Sequence, residues 1–414
     1  MINLFFITYD FSGVRTYTNE LLGYLSQQPG IAVHRIFLES KDHKEYTVVR
    51  EANIINIYFP FVRREPGSLG RYAVRCMDLL FPVVRDKEQL IFHLNNSLHV
   101  KLGLEARKRF GAKLIYTLHF LPNYFSYMGL DDINPEEIIP TGDALEREII
   151  READHIICVT RFAQKMVIDA FNISSEKIVA IHNGLGSATQ SAVHISKTNS
   201  HLKNELGFRK SEQIILFVGR LEERKGLKYL LKAFNHISGR NPGARLIIVG
   251  DGNFKESLAY MECNLGKITF TGEISTRELS VLYRIATIGV IPSIFEQCSY
   301  VALEMMQYGL PIVVSGAPGL SELFTNNQNA LIVPVHKSAN ELIETEIDEL
   351  QLAESLETLL NNDALRQKLG ECARIQWEQH HTAKSMGETI IQQYKKQLKD
   401  KTNQQKEEGQ KVNS

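Results

Sequence analysis

Short apolar runs recur along the whole chain and alternate with stretches whose apolar positions fall at helical spacing. In the N-terminal half, Asn3–Thr8, Ala32–Leu38, Asn53–Phe59, Leu90–Leu94, Lys113–Leu118, His155–Val159 and Ile178–Ile181 read as strands. Their aliphatic and β-branched residues suit parallel strands buried on both faces. Tyr17, Leu21, Leu22 and Leu25 follow the first run along one helix face. The C-terminal half repeats the pattern with Gln213–Gly219, Ala244–Gly250, Lys267–Gly272, Thr287–Ile291, Ile312–Ser315 and Leu331–Val333. Ser275-Thr-Arg-Glu278 is a capping box and opens a helix before Leu279, Leu282 and Tyr283. Strands alternating with helices imply parallel, doubly wound sheets, and two such series imply two α/β domains.

The chain of 414 residues is too long for one ordinary core, which agrees with that division. The Ser-, Thr- and Asn-rich stretch Gly186–Asn204 is the expected linker. Domains are drawn at 1–190 and 205–380, followed by a helix over 381–398. The polar tail 399–414 is expected to be disordered. The acidic residues 335–350 read as a surface insertion.

Composition then narrows the function classes. An apolar content of 43% with 23% charged residues fits a soluble globular enzyme, and a net charge of −1 gives no reason to expect a nucleic-acid partner. Five scattered cysteines, never in C-x-x-C spacing, argue for a reducing compartment and against a zinc site or disulfide framework. Met1–Asp10 has no basic region and only a brief apolar run, so it reads as a first strand and not a signal peptide. No stretch approaches the length of a transmembrane helix, and the expected location is the cytoplasm. Residues 61–113 differ from the rest, with eleven Lys/Arg against five acids interleaved with Leu69, Tyr72, Val74, Met77 and Leu80. Such a segment suits peripheral contact with an anionic membrane face or a lipid-linked acceptor, or else is a solvated helix face over an ordinary core.

Candidate chemistry gathers at the C-terminal ends of strands, where open α/β sheets bind ligands. The stretch Ile291 to Ser315 reads as strand end, loop, short helix, stop and next strand. Its helix opens near Ser299 or Tyr300, Gly309 supplies a left-handed cap, and Pro311 forbids continuation. Glu296 in the loop and Glu304 on the helix suit sugar and ribose hydroxyls, although an isolated pair of this kind is more often solvated surface. The helix N-terminus suits a phosphate. Gly219-Arg-Leu-Glu-Glu-Arg-Lys-Gly226 puts Arg220 and Lys225 on one loop, where two cations either neutralise a diphosphate or form a charged surface turn. His119 ends Tyr116-Thr-Leu-His119, and its neutral ring either donates a hydrogen bond to a sugar hydroxyl or is structural; His93 is a second candidate. Gly13 lies in the first strand-to-helix turn. Val249-Gly-Asp-Gly252 is not G-x-G-x-x-G, which counts against a dinucleotide. No D-x-D pair suited to a metal–diphosphate complex is present.

The segment Pro292-Ser293…Glu296…Ala302-Leu303-Glu304…Gly309-Leu310-Pro311 resembles the E-x7-E signature of family 4 retaining glycosyltransferases, which have the GT-B architecture. G-R-x4-K-G, V-G-D-G, T-x-H, Ala153-Asp-His and Ile178-Val-Ala-Ile-His-Asn-Gly184 extend the resemblance over nearly the whole chain. Ser299 departs from the usual glycine and Gly186 from the usual aspartate. The resemblance implies two doubly wound parallel-sheet (Rossmann-like) domains facing across a cleft, with acceptor bound by the first and donor by the second. Trp377 resembles a residue near the end of the family fold, and the last helix is implied to cross back to the first domain. The implied reaction moves a hexose-type sugar from a nucleotide-diphosphate sugar to a hydroxyl acceptor, with retention, in glycan or glycoconjugate assembly. Glu296 and His119 are then the catalytic residues. Arg220, Lys225, Gly13, Ser299, Tyr300 and Val301 serve the donor diphosphate, and Glu304, Gly250, Gly252 and Ile274 the ribose and base. No metal or cofactor is implied, and UDP-sugars stand ahead of GDP-sugars as donors. The acceptor is a glycan, a lipid-linked compound or another hydroxyl compound. A sugar-nucleotide epimerase and a non-catalytic GT-B partner subunit are the alternatives, kept open by Ser299 and the single Gly13.

Overall fold

The computed structural model describes residues 1–8, 12–40, 42–60, 69–80, 84, 89–119, 143–187, 198–253, 255, 259–261, 265–337 and 345–412. They form two compact units, Met1–Gly184 with Ala383–Ser414, and Leu185–Thr382.

The first unit is built on an eight-stranded sheet in the order β3-β4-β2-β1-β5-β6-β7-β8. Its strands are β1 (Ile2–Thr8), β2 (Ile31–Ser40), β3 (Thr47–Glu51), β4 (Ile54–Pro60), β5 (Leu90–Leu94), β6 (Lys113–Leu118), β7 (His155–Cys158) and β8 (Ile178–Ala180). Leu4, Phe5, Phe6 and Ile7 of β1 are fully buried, as expected of a central strand covered on both faces. All pairings are parallel except β3 with β4. β3 escaped the sequence reading because Thr47-Val-Val-Arg-Glu51 is short and charged. A two-residue turn with Ala52 at φ 50° folds it back onto β4 as an edge. The chain steps outward from β1 to β4, then returns to place β5 on the other side of β1. That reversal puts the ends of β1, β5 and β6 where a doubly wound sheet binds ligands.

The second unit has a six-stranded parallel sheet in the order β11-β10-β9-β12-β13-β14. These are β9 (Gln213–Val218), β10 (Ala244–Val249), β11 (Ile268–Gly272), β12 (Ile288–Ile291), β13 (Ile312–Ser315) and β14 (Leu331–Val333). The reversal of direction falls between β9 and β12, and both loops that carry the candidate charges leave the sheet there. The helix Leu227–Ser238 lays Leu230, Leu231, Phe234 and Ile237 against Phe217, Leu246 and Ile248, forming the core on one face.

Three boundaries differ from the sequence reading. The linker expected over Gly186–Asn204 is shorter, because Asn199–Glu205 is helical, with the Thr198 side chain capping the amide of His201; residues 188–197 lie outside the described residues. The stretch 335–350 contains an antiparallel pair, Val335–Lys337 with Thr345–Ile347, anchored by the buried Ile347. The last helix runs over Ala383–Val412 and does not stop at 398. The tail expected to be disordered is therefore helical through Val412, since its Lys, Gln and Glu residues are good helix formers and no proline interrupts them.

Much of the basic surplus in 61–113 is consumed locally. Lys101 pairs with Glu148 at 2.5 Å, Arg107 with Asp154 at 3.0 Å, Arg109 with Asp78 and Glu105 at 2.5 Å, and Lys113 with Asp154 at 3.1 Å. The helix Leu69–Leu80 buries Ala73, Cys76, Met77 and Leu80, so its apolar stripe serves the core. Residues 61–68, 81–83 and 85–88 lie outside the described residues. Among the described residues, no helix is long and apolar enough to cross a membrane.

Burial lowers the pKa of several histidines of this unit, among them His34 and His155 to about 4 and His93 to about 3, from an ordinary 6.5. Each is neutral when folded and more easily protonated when unfolded. Their stabilising contribution is therefore complete above pH 6.5 and is lost as the pH falls toward those values. Thermal unfolding followed from about pH 7 to about pH 5 is expected to show the first unit weakening by about 1–2 kcal/mol per buried ring. A flat profile over that window contradicts this account.

Candidate functional site

The site in the second unit is assembled from three loops at the C-terminal edge of its sheet. Gly219–Gly226 follows β9, Gly250–Gly252 follows β10, and Pro292–Ser299 follows β12. Backbone bonds lace them together. Leu221 N–H donates to the Asp251 carbonyl at 2.8 Å, and Ile294 N–H to the Arg224 carbonyl at 2.9 Å. Gly250 and Gly252 meet a demand of the protein before any ligand is considered. A Cβ on Gly250 would lie 2.0 Å from the Gly219 carbonyl oxygen, and one on Gly252 would lie 2.7 Å from that of Leu221.

Lys225 and Glu296, distant in sequence, meet directly: Nζ lies 2.6 Å from Oε2, with side-chain exposures of 22% and 13%. The same oxygen accepts from the hydroxyl of buried Ser293 at 3.2 Å. Arg220 pairs with Glu222 at 2.5 Å, and Arg224 takes the other oxygen of that carboxylate at 2.6 Å. Behind the loop, Gly319 N–H donates to the Glu296 carbonyl at 3.2 Å, and a Cβ there would come within 2.5 Å of that oxygen. The start of the helix Pro318–Leu323 thus holds the Glu296 backbone.

The helix Tyr300–Gln307 begins where expected, and the structure explains the departure at its start. Ser299 is its N-cap, accepting from the Ala302 amide, so a serine replaces the usual glycine with a capping function. Tyr300 and Val301 occupy the first turn, whose amides precede the intrahelical ladder. Gly309 follows the helix at φ 64° as a left-handed cap. Glu304 accepts from the Tyr283 hydroxyl at 2.6 Å, and that ring stacks on Tyr308. Burial, then the Glu304 charge, pushes the Tyr283 phenol well above its ordinary range, so it remains a donor. Tyr283 was read only as an apolar helix position. Its pairing with Glu304 has no signature in local sequence. Ile274 lies just before the Ser275 capping box, which the structure contains as drawn.

In the first unit, Gly13 sits in the first turn of the helix Ser12–Leu25, exposed, with open space where a Cβ would be. His119 follows β6. Its Nε2 lies 2.9 Å from Asn95 Oδ1, and its ring packs edge-on against Tyr17. His93, the second candidate, is a core residue. It is fully buried between the Tyr394 hydroxyl and Thr117 Oγ1, each 2.6 Å away.

Residues 11–186 match the family model described as Glycosyltransferase Family 4, and residues 199–376 match Glycosyl transferases group 1. The two glycosyltransferase models together span most of the chain. The chain is 33% identical to an uncharacterized glycosyltransferase of Methanocaldococcus jannaschii, over 46% of this chain and 49% of the relative. It is 27% identical to the D-inositol 3-phosphate glycosyltransferase of Mycobacteroides abscessus, over 60% and 56% respectively. The chain thus spans about half the length of these curated relatives. A longer match, 24% identical over 83% of this chain and 77% of the relative, is the alpha-monoglucosyldiacylglycerol synthase of Streptococcus pneumoniae. The GT-B fold recurs in the sucrose-phosphate synthase of Thermosynechococcus elongatus, with a TM-score of 0.72, 20% identity, and coverage of 96% of this chain and 99% of that one. Anabaena HepE in complex with UDP matches with a TM-score of 0.70 and 18% identity, over 96% of this chain and 100% of that one.

Proposed function

We propose that the protein is a metal-independent, retaining glycosyltransferase that moves a hexose-type sugar from a nucleotide-diphosphate sugar to a hydroxyl acceptor. One observation carries this reading. Arg220 and Lys225 on the loop after β9 share the reversal point of one sheet with Glu296 and the helix start at Tyr300, and Lys225 and Glu296 are in contact. In this reading Lys225, Arg220 and the amides of the first helical turn take the charge of the departing diphosphate. The carboxylates of Glu296 and Glu222 keep those cations paired until the diphosphate arrives. Glu304, steadied by Tyr283, accepts from ribose hydroxyls. Glu296 is held by Lys225 and Ser293, which suits sugar binding better than nucleophilic attack. Attack then occurs on the face the diphosphate leaves. The acceptor oxygen bonds to the anomeric carbon as the bond to the phosphate oxygen breaks, and that oxygen takes the acceptor's proton, so configuration is retained.

UDP-sugars are the first donors to test. HepE has been solved with UDP and with UDP-glucose, and a trehalose-6-phosphate synthase with UDP-2-fluoro glucose. The acceptor side is assigned to the first unit; a polyol phosphate and a glycolipid fit the names of the relatives, and a glycan is the third class to test. A thermal-shift panel of nucleotide sugars tests donor binding. Transfer to glycan and glycolipid acceptors, with anomeric configuration read by NMR, tests the reaction. Stabilisation by a nucleotide sugar and EDTA-insensitive transfer with retention are expected. Isomerisation of donor alone indicates the epimerase, and binding without transfer the non-catalytic subunit.

A further inference from the structure

The hydrogen bonds around His119 determine which of its ring nitrogens carries the proton. Asn95 is 3% exposed, and its Nδ2 donates to the Ile7 carbonyl at 3.0 Å. A carbonyl oxygen only accepts, so the Asn95 amide has one orientation, with Oδ1 turned to His119. Oδ1 also only accepts. The 2.9 Å contact with His119 Nε2 therefore requires that Nε2 bear the hydrogen. A neutral imidazole has one N–H, which leaves Nδ1 as a bare acceptor. Tyr17 fixes the ring from the side: the ring centroids are 4.6 Å apart and near perpendicular, and the Tyr17 hydroxyl is 3.3 Å from Thr117 Oγ1.

We propose that Asn95 is a positioning residue that locks His119 as an acceptor through Nδ1, so that the substrate group it meets is a hydroxyl that donates. This rests on the glycosyl-transfer reading for the identity of the substrate. The assignment reverses the role expected from sequence, in which His119 donates. It also makes the donor diphosphate a poor partner for this ring, because its ionised oxygens only accept. Burial keeps the ring neutral by lowering its pKa to about 3, so the acceptor survives throughout the working range.

Two measurements test the proposal. The first is ¹⁵N NMR of histidine-labelled wild-type protein near neutral pH, with His119→Gln to assign the signal. The Nε2–H tautomer is expected, and an Nδ1–H tautomer overturns the proposal without reference to any substrate. The second is UDP-glucose affinity against pH in Asn95→Asp. An aspartate still accepts from Nε2–H, but its charge favours the imidazolium, in which Nδ1 is protonated and no longer accepts. Between about pH 8 and about pH 5.5 the variant is expected to lose about tenfold more affinity than wild type. A folded variant whose pH profile overlays that of wild type overturns the proposal, since a purely structural asparagine would leave no such acid limb. If wild type binds neither UDP-glucose nor any other sugar of the panel, the glycosyl-transfer reading fails instead, and the tautomer measurement stands on its own.

Discussion

Lys225→Ala is expected to lower both donor affinity and turnover by about two orders of magnitude or more. The side chain supplies a cation at the sheet reversal, where the departing diphosphate needs one. Its removal also strands Glu296, which is only 13% exposed and then lacks its ion partner. A carboxylate facing a diphosphate without that cation repels it, so two effects of the same sign combine. Lys225→Arg keeps the charge but replaces a compact point charge with a longer, planar fork, and only partial recovery is expected. Isothermal titration with the donor and single-turnover kinetics read the two effects separately, with circular dichroism confirming the fold. Donor affinity close to wild type in a folded Lys225→Ala protein would remove this loop from the site.

Gly226→Ala is expected to destabilise the second unit by about 3–5 kcal/mol, an exceptional loss for a single methyl group. Gly226 stands at φ 69°, a conformation that disfavours a Cβ, and it joins the Glu223–Lys225 turn to the helix Leu227–Ser238. The larger problem is space: the added carbon would lie 1.7 Å from the Pro292 carbonyl oxygen. Relief requires the loop after β9 to move away from the loop after β12. That movement breaks the Ile294–Arg224 backbone bond and the Lys225–Glu296 pair together. Urea unfolding monitored on the second unit gives the stability, and donor titration gives the consequence for the site. A variant within about 1 kcal/mol of wild type would show that the two loops are not clamped there.

Both expectations concern residues visible in the sequence whose partners were not. The loop Gly219–Gly226 was legible because a glycine-bounded, cation-bearing turn directly follows an apolar run. The site helix was legible because Pro292, Gly309 and Pro311 mark its limits. Ser299 was read as a loss relative to the family pattern, and its capping bond to Ala302 became visible only once the helix start had been located in space. Gly250 and Gly252 were assigned to a ligand's approach, yet the nearest demand on them comes from the backbone of Gly219 and Leu221.

What the amino-acid order alone determined is the succession of elements: two runs of parallel strands and helices, their turns, and the charged residues at strand ends. These follow from periodicity, propensity and turn chemistry, which act over a few residues. What only the tertiary structure decided is who meets whom: Lys225 with Glu296, Tyr283 with Glu304, Asn95 with His119, and Tyr394 with His93. Each pairing depends on which strands lie side by side, β9 against β12 and β5 against β6, or on where the helices pack. The order of strands in a sheet is a property of the whole packed core, and no local stretch encodes it.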